Sequence, residues 1–116
     1  MASPVRFTRF GDFYPYYLSE HQHATCRQLH FAGSSLVLVV VLLAITYSNA
    51  LLLGLLPVIG YGFAWVGHFF FEKNRPATFR YPLYSLWGDW VMFKDILIGR
   101  VSLKGQAYDT APGLKG

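Results

Sequence analysis

His21, His23, His30 and His68 are the only histidines in the chain. Three precede the first long apolar run, and the fourth closes the second. Histidine is the commonest protein metal ligand, because a neutral imidazole offers one lone pair while its other nitrogen donates a hydrogen bond. Glu72 follows His68 at a spacing of four, which puts both on one face of an α-helix. A carboxylate there can complete a ligand set, orient an imidazole through its second nitrogen, or act as a base. Cys26 is the sole cysteine, so it permits no intrachain disulfide and no cysteine-rich metal site. Lying between His23 and His30, it can be a thiolate ligand or, more commonly, a small buried hydrophobe. A histidine-rich set with at most one carboxylate suits Zn, Fe or Cu rather than Mg or Ca. The plainer reading is that His30 and His68 bond lipid phosphate from helix ends and that His21 and His23 are solvated. Glu72, Lys73 and Arg75 are then an ordinary juxtamembrane charge cluster.

The elements that must position these residues are apolar. Charged residues make up 14% of the chain against about 25% in a soluble domain, while hydrophobic residues reach 53% and aromatics 18%. From Phe31 to Phe71 there is no charge at all. Two segments, about residues 29–47 and 50–72, each match the roughly 20 residues of helix that span a bilayer. Residues 1–103 read as one membrane domain and 104–116 as a flexible tail. The expected class is an all-α integral membrane protein, an antiparallel two-span transmembrane hairpin. An amphipathic N-terminal helix, about Asp12–Arg27, flanks it on one side. An interfacial or re-entrant helix, about residues 82–99, flanks it on the other, started by Pro82. Tyr47-Ser48-Asn49 supplies the turn, Pro57 is expected to kink the second span, and the Gly60, Ala64, Gly67 stripe to pack closely on Gly33-Ser34-Ser35.

Charge sets the orientation. Arg6, Arg9 and Arg27 precede the first span, the remaining seven Lys and Arg follow the second, and the turn between has none. The positive-inside rule then puts both termini in the cytoplasm, with the inner membrane as the site in a bacterium. The net charge of +4 flanks membrane spans, so anionic headgroups rather than nucleic acid are the expected partner.

At 1.5 Å per residue, His30 to the turn is roughly 27 Å and the turn back to His68 roughly 28 Å. The two therefore return to one depth, at the cytoplasmic edge, with His21 and His23 on the same side. Face geometry is more restrictive. At about 100° per residue, His23 and His30 share a face of a straight helix, whereas His21 joins His30 only if the chain bends, for which Ala24-Thr25-Cys26 is the weak point. Gly60-Tyr61-Gly62 is no phosphate loop, since no Lys-Ser/Thr follows. Asp89 and Asp95 do not share a helical face, so no paired-carboxylate site is expected.

Two stretches carry a resemblance. The first is Tyr16-Tyr17-Leu18, Glu20-His21 and Arg27-Gln28-Leu29-His30-Phe31. The second is Gly60-Tyr61-Gly62-Phe63-Ala64-Trp65-Val66-Gly67-His68, continuing through Glu72-Lys73-Asn74-Arg75-Pro76-Ala77. Together they resemble the small membrane proteins named for the fungal 2-hydroxy-palmitate dioxygenase, and the short bacterial-type members most of all. The similarity spans residues 13–100.

The resemblance implies an Fe(II)-dependent dioxygenase of lipid α-oxidation, which uses O2 to shorten a long-chain 2-hydroxy fatty acid by one carbon. It implies His21, His30 and His68 as the iron ligands and demotes His23, which stands where relatives often carry Asn. The substrate can chelate iron through carboxylate and hydroxyl, with Arg75 or Lys73 holding the carboxylate and Glu72 as the catalytic residue. The alternative is a non-catalytic membrane protein that binds lipid or organises a complex. A homo-oligomer is compatible with either.

Overall fold

The computed structural model describes residues 7–105. All regular structure among them is helical, in the order α1 (Phe10–Ser19), α2 (Ala24–Thr46), a 3-10 turn (Ala50–Gly54), α3 (Leu55–Val66), a π-helical turn (Gly67–Glu72), a second 3-10 turn (Ala77–Phe79) and α4 (Pro82–Leu97). The expected tail falls mostly outside the described residues. Two helical stretches, Ala24–Thr46 and Ala50–Glu72, are long and apolar enough to cross a membrane. Only 22% of the apolar stretch of the first and 6% of the second is buried within the chain, which is not how the core helices of a soluble protein behave.

α2 and the stretch α3 to Glu72 pack along their lengths in opposite chain directions. Gly33 lies against Phe63, and Gly67 against Cys26. Both are close approaches: a Cβ on Gly33 would meet Phe63 Cβ at 2.8 Å, and one on Gly67 would meet Cys26 Sγ at 2.8 Å. Gly60 faces open space instead, so of the small-residue stripe Gly67 makes a close contact with α2 and Gly60 does not. The turn closes through Ser48 in the left-handed region (φ 50) and Asn49, whose Oδ1 accepts from the Leu51 amide at 3.1 Å. Pro57, expected to kink the second span, lies just after a change of winding. The winding changes from 3-10 to α at Gly54–Leu55, so the proline falls in the first turn of α3, where its missing N–H costs little.

The first flanking helix differs from expectation. α1 stops at Ser19 and α2 begins at Ala24, so Ala24-Thr25-Cys26 is helical and the break lies at Glu20–His23. Side chains stabilise that break by satisfying amides that a helix start leaves without partners. His23 caps α2 by accepting from the Thr25 amide at 3.2 Å, and Glu72 accepts from the His23 amide. α1 buries one face, Phe13, Tyr17 and Leu18, against Ala77, Tyr81, Met92 and Val101. Gly88 of α4 lets the Tyr17 ring lie directly on that helix, since a Cβ there would be 3.0 Å from the ring.

Candidate metal centre

Three elements deliver the histidines to one point. The Glu20–His23 break carries His21, the second turn of α2 carries His30, and the π-helical turn carries His68. They are 1%, 6% and 2% exposed. π-Helical turns are rare, and those that occur are frequently at functional sites; this one ends at Lys73, a non-glycine residue with φ 61. His23 is exposed and capping. The bend required for His21 to meet His30 is therefore present, and the straight-helix pairing of His23 with His30 is not.

The hydrogen bonds fix how the rings face. His21 Nδ1 lies 2.6 Å from the Tyr17 carbonyl, His30 Nδ1 2.9 Å from the Cys26 carbonyl, and His68 Nδ1 2.7 Å from Asn74 Oδ1. The Asn74 amide nitrogen donates to the Glu20 carbonyl at 3.1 Å and to Glu20 Oε1 at 3.2 Å, which orients its Oδ1 toward His68. All three partners of the Nδ1 atoms only accept, so each Nδ1 carries the proton and each Nε2 presents a bare lone pair. Those lone pairs converge: His21 Nε2 lies 3.1 Å from His30 Nε2 and 3.0 Å from His68 Nε2. Neutral nitrogens in that state cannot bond one another. Protonation does not rescue them, because burial, followed by the two neighbouring imidazoles, holds the His21 pKa well below its ordinary value.

A shared cation would resolve the conflict. Nitrogens bound to one first-row ion at about 2.0–2.1 Å, with an angle near 90–110° between them, stand roughly 2.9–3.4 Å apart, as His21 Nε2 does from each of the other two. Cys26 belongs to the same buried group, whose ligand atoms lie within 4.8 Å of one another. Its sulfur faces His30 Nδ1 at 3.7 Å, on the side of that ring away from the converging lone pairs, so its contact with Gly67 accounts for it as packing.

Around the cluster, the Tyr17 ring stacks on His21 at 4.1 Å and its hydroxyl donates to Asp89. Burial pushes the Asp89 carboxyl up to about 7, opposed by that hydrogen bond. A small space of about 10 Å³ touches all three histidines, Trp65, Ser85 and Asp89. Beside it, a cavity of about 350 Å³ runs between α2, α3 and α4, lined by His30 and Asp89 at one end and by Val37, Leu56, Pro57 and Trp90 among others. Gly60, Ala64 and Ser34 also line it: the small residues make room rather than contact.

The family model for 2-hydroxy-palmitic acid dioxygenase Mpo1-like proteins matches residues 7–101. The chain belongs to this Mpo1-like family. No curated protein and no solved structure matches it.

Of the other residues expected from the sequence, the structure brings Glu72 to the rim, bonded to the His23 amide, and leaves Lys73 and Arg75 exposed. The Arg75 guanidinium lies 5.3 Å above the Phe79 ring, and neither cation lines the two spaces described. Sequence reasoning passed over Tyr17, Asn74, Ser85 and Asp89. Asn74 depends on the left-handed Lys73 and the bond from its own amide to the His68 carbonyl at 3.1 Å, a geometry no helical spacing announces. Ser85 and Asp89 did leave a signal: they are polar and four apart, so they share a face of α4.

Proposed function

We propose that this Mpo1-like protein is an Fe(II)-dependent dioxygenase of lipid α-oxidation that shortens a long-chain 2-hydroxy fatty acid by one carbon. The observation that carries the reading is the convergence of three unprotonated Nε2 atoms, that of His21 lying 3.0–3.1 Å from the other two, in a chain whose family is described as a dioxygenase. A scaffold or passive lipid binder has no use for it. His21, His30 and His68 hold the metal. Imidazole suits iron, and zinc, having no redox chemistry, does not serve a reaction with O2. Bound iron supplies the electrons that activate O2.

The stoichiometry balances simply: a 2-hydroxy acid and O2 give the acid one carbon shorter, CO2 and water. The chain's own residues do the rest. Tyr17, Cys26 and Asn74 keep the three rings in one tautomer through their second nitrogens, and such partners commonly set metal affinity. Glu72 fixes the His23 turn and thereby His21. The apolar cavity takes the acyl chain, and Lys73 and Arg75 at the surface attract the carboxylate as the lipid arrives.

The membrane placement belongs to the same proposal. Residues 7–105 form a two-span antiparallel hairpin with α1 and α4 at the cytoplasmic interface and both termini on that side. Leaving each Leu, Val or Ile side chain in water forgoes about 1.5–3 kcal/mol. Leu51, Ile45 and Val58 are 87%, 71% and 71% exposed, a surface that hydrocarbon covers.

The test is turnover by purified, Fe(II)-loaded protein given 2-hydroxypalmitic acid and O2. The fifteen-carbon acid and CO2 should form in equal amounts, and His68→Ala should abolish both. Full turnover by that variant would contradict the proposal.

A further inference from the structure

The small space at the histidine cluster contains two buried polar atoms with nothing to bond. Among the described residues, Ser85 Oγ and Trp65 Nε1 lack any hydrogen-bond partner, and both residues line this space together with Asp89. Ser85 is 2% exposed. A buried donor left unpaired costs about 1–3 kcal/mol, and few such groups survive in folded proteins without a reason. Two of them at one cavity, opposite a carboxylate, suggest a ligand group that both accepts and donates.

We infer that Ser85, Trp65 and Asp89 form the subsite that reads the 2-hydroxyl of the substrate. The argument is one of matching chemistry and size, and it rests on the function proposed above. A space of about 10 Å³ admits about one water-sized group, which fits a hydroxyl and not a whole carboxylate. A hydroxyl oxygen accepts from Ser85 O–H and Trp65 N–H, while its hydrogen goes to an Asp89 oxygen. The Tyr17 hydroxyl already donates to Asp89, so it holds that carboxylate in place as an acceptor.

The geometry also places the hydroxyl correctly along the lipid. Asp89 lines both the small space and the long apolar cavity, so an acyl chain in the latter presents its head carbons at the former. An ordinary fatty acid of equal length would fill the cavity yet leave Ser85, Trp65 and Asp89 buried and unpaired. Sites built to bond a substrate hydroxyl reject analogues lacking it more strongly than apolar pockets reject a methylene.

The experiment is calorimetric binding to Fe(II)-loaded protein in detergent, without O2 so that nothing turns over. The ligands are 2-hydroxypalmitic acid and palmitic acid. The wild-type chain should prefer the hydroxy acid by roughly tenfold to a hundredfold. Ser85→Ala and Asp89→Leu should each bring the preference to within about threefold while iron content stays unchanged. Tyr17→Phe serves if Asp89→Leu does not fold, and should reduce the preference by a smaller factor. A preference kept in these variants overturns the subsite, as does a wild-type chain that turns over the hydroxy acid yet binds both acids equally. A wild-type chain with neither preference nor turnover overturns the proposed function itself.

Discussion

Asn74 is the residue on which the candidate site depends most without touching its centre. Its Oδ1 accepts from His68 Nδ1 while its amide nitrogen is held by Glu20, so one side chain sets a tautomer and ties the π-helical turn to the end of α1. Asn74→Ala removes that acceptor and leaves all three ligands in place. Partners of this kind typically change metal affinity 10–100-fold, and a competition titration with a chelator should show a loss in that range. Retention of wild-type affinity would mean that packing alone orients His68. The sequence made the ligands legible but not their supports. His21, His30 and His68 are rare residues at recognisable places, whereas Asn74 acts through a left-handed neighbour and Asp89 through a tyrosine seventy-two positions away.

At the scale of the elements, the break between α1 and α2 does most to build the site, and Arg27 secures it. Its guanidinium donates to the carbonyls of His21 at 2.8 Å and Gln22 at 2.7 Å on one side. On the other it donates to the carbonyls of Ser102 at 2.7 Å and Gly105 at 2.6 Å. The side chain is fully buried. Residues expected to begin a loose tail are thus fastened over the turn that carries His21. Arg27→Lys cannot serve the same carbonyls, because an ammonium lacks the fixed fork of five donors. Limited trypsin digestion should then cleave after Lys104 several-fold faster than in the wild type, with weaker metal retention. Equal cleavage rates would show that the segment is held by other contacts, chiefly buried Val101. The helix break itself was only half legible. Joining His21 to His30 demanded a bend, but the weak helix formers Ala24-Thr25-Cys26 stay helical, because His23 and Glu72 cap the chain just before them. Glu72 comes from forty-nine residues away, and local propensity carries no information about it.

The whole molecule is a short apolar pair of helices capped at one end by an aromatic cluster from α1 and α4. Hydropathy displays the two long helices plainly, since a run without charge from Phe31 to Phe71 has few other uses. It does not display the cavity, which exists because α4 stands off from Gly60 and Ala64. The proposed topology, with both termini cytoplasmic, puts Ser48 at the turn on the opposite side. A Ser48→Cys variant should react with a membrane-impermeant maleimide in intact cells, while buried Cys26 should not. Labelling only after lysis would invert the topology.

Every scale converges on one claim, that three histidines drawn from three elements hold one iron ion. Metal analysis of protein purified in detergent after anaerobic loading with Fe(II) tests it directly. About one iron per chain is expected in the wild type and little or none in His68→Ala and His21→Ala, with His23→Ala unchanged. Full iron content in the His21 and His68 variants, or none in the wild type, would contradict it.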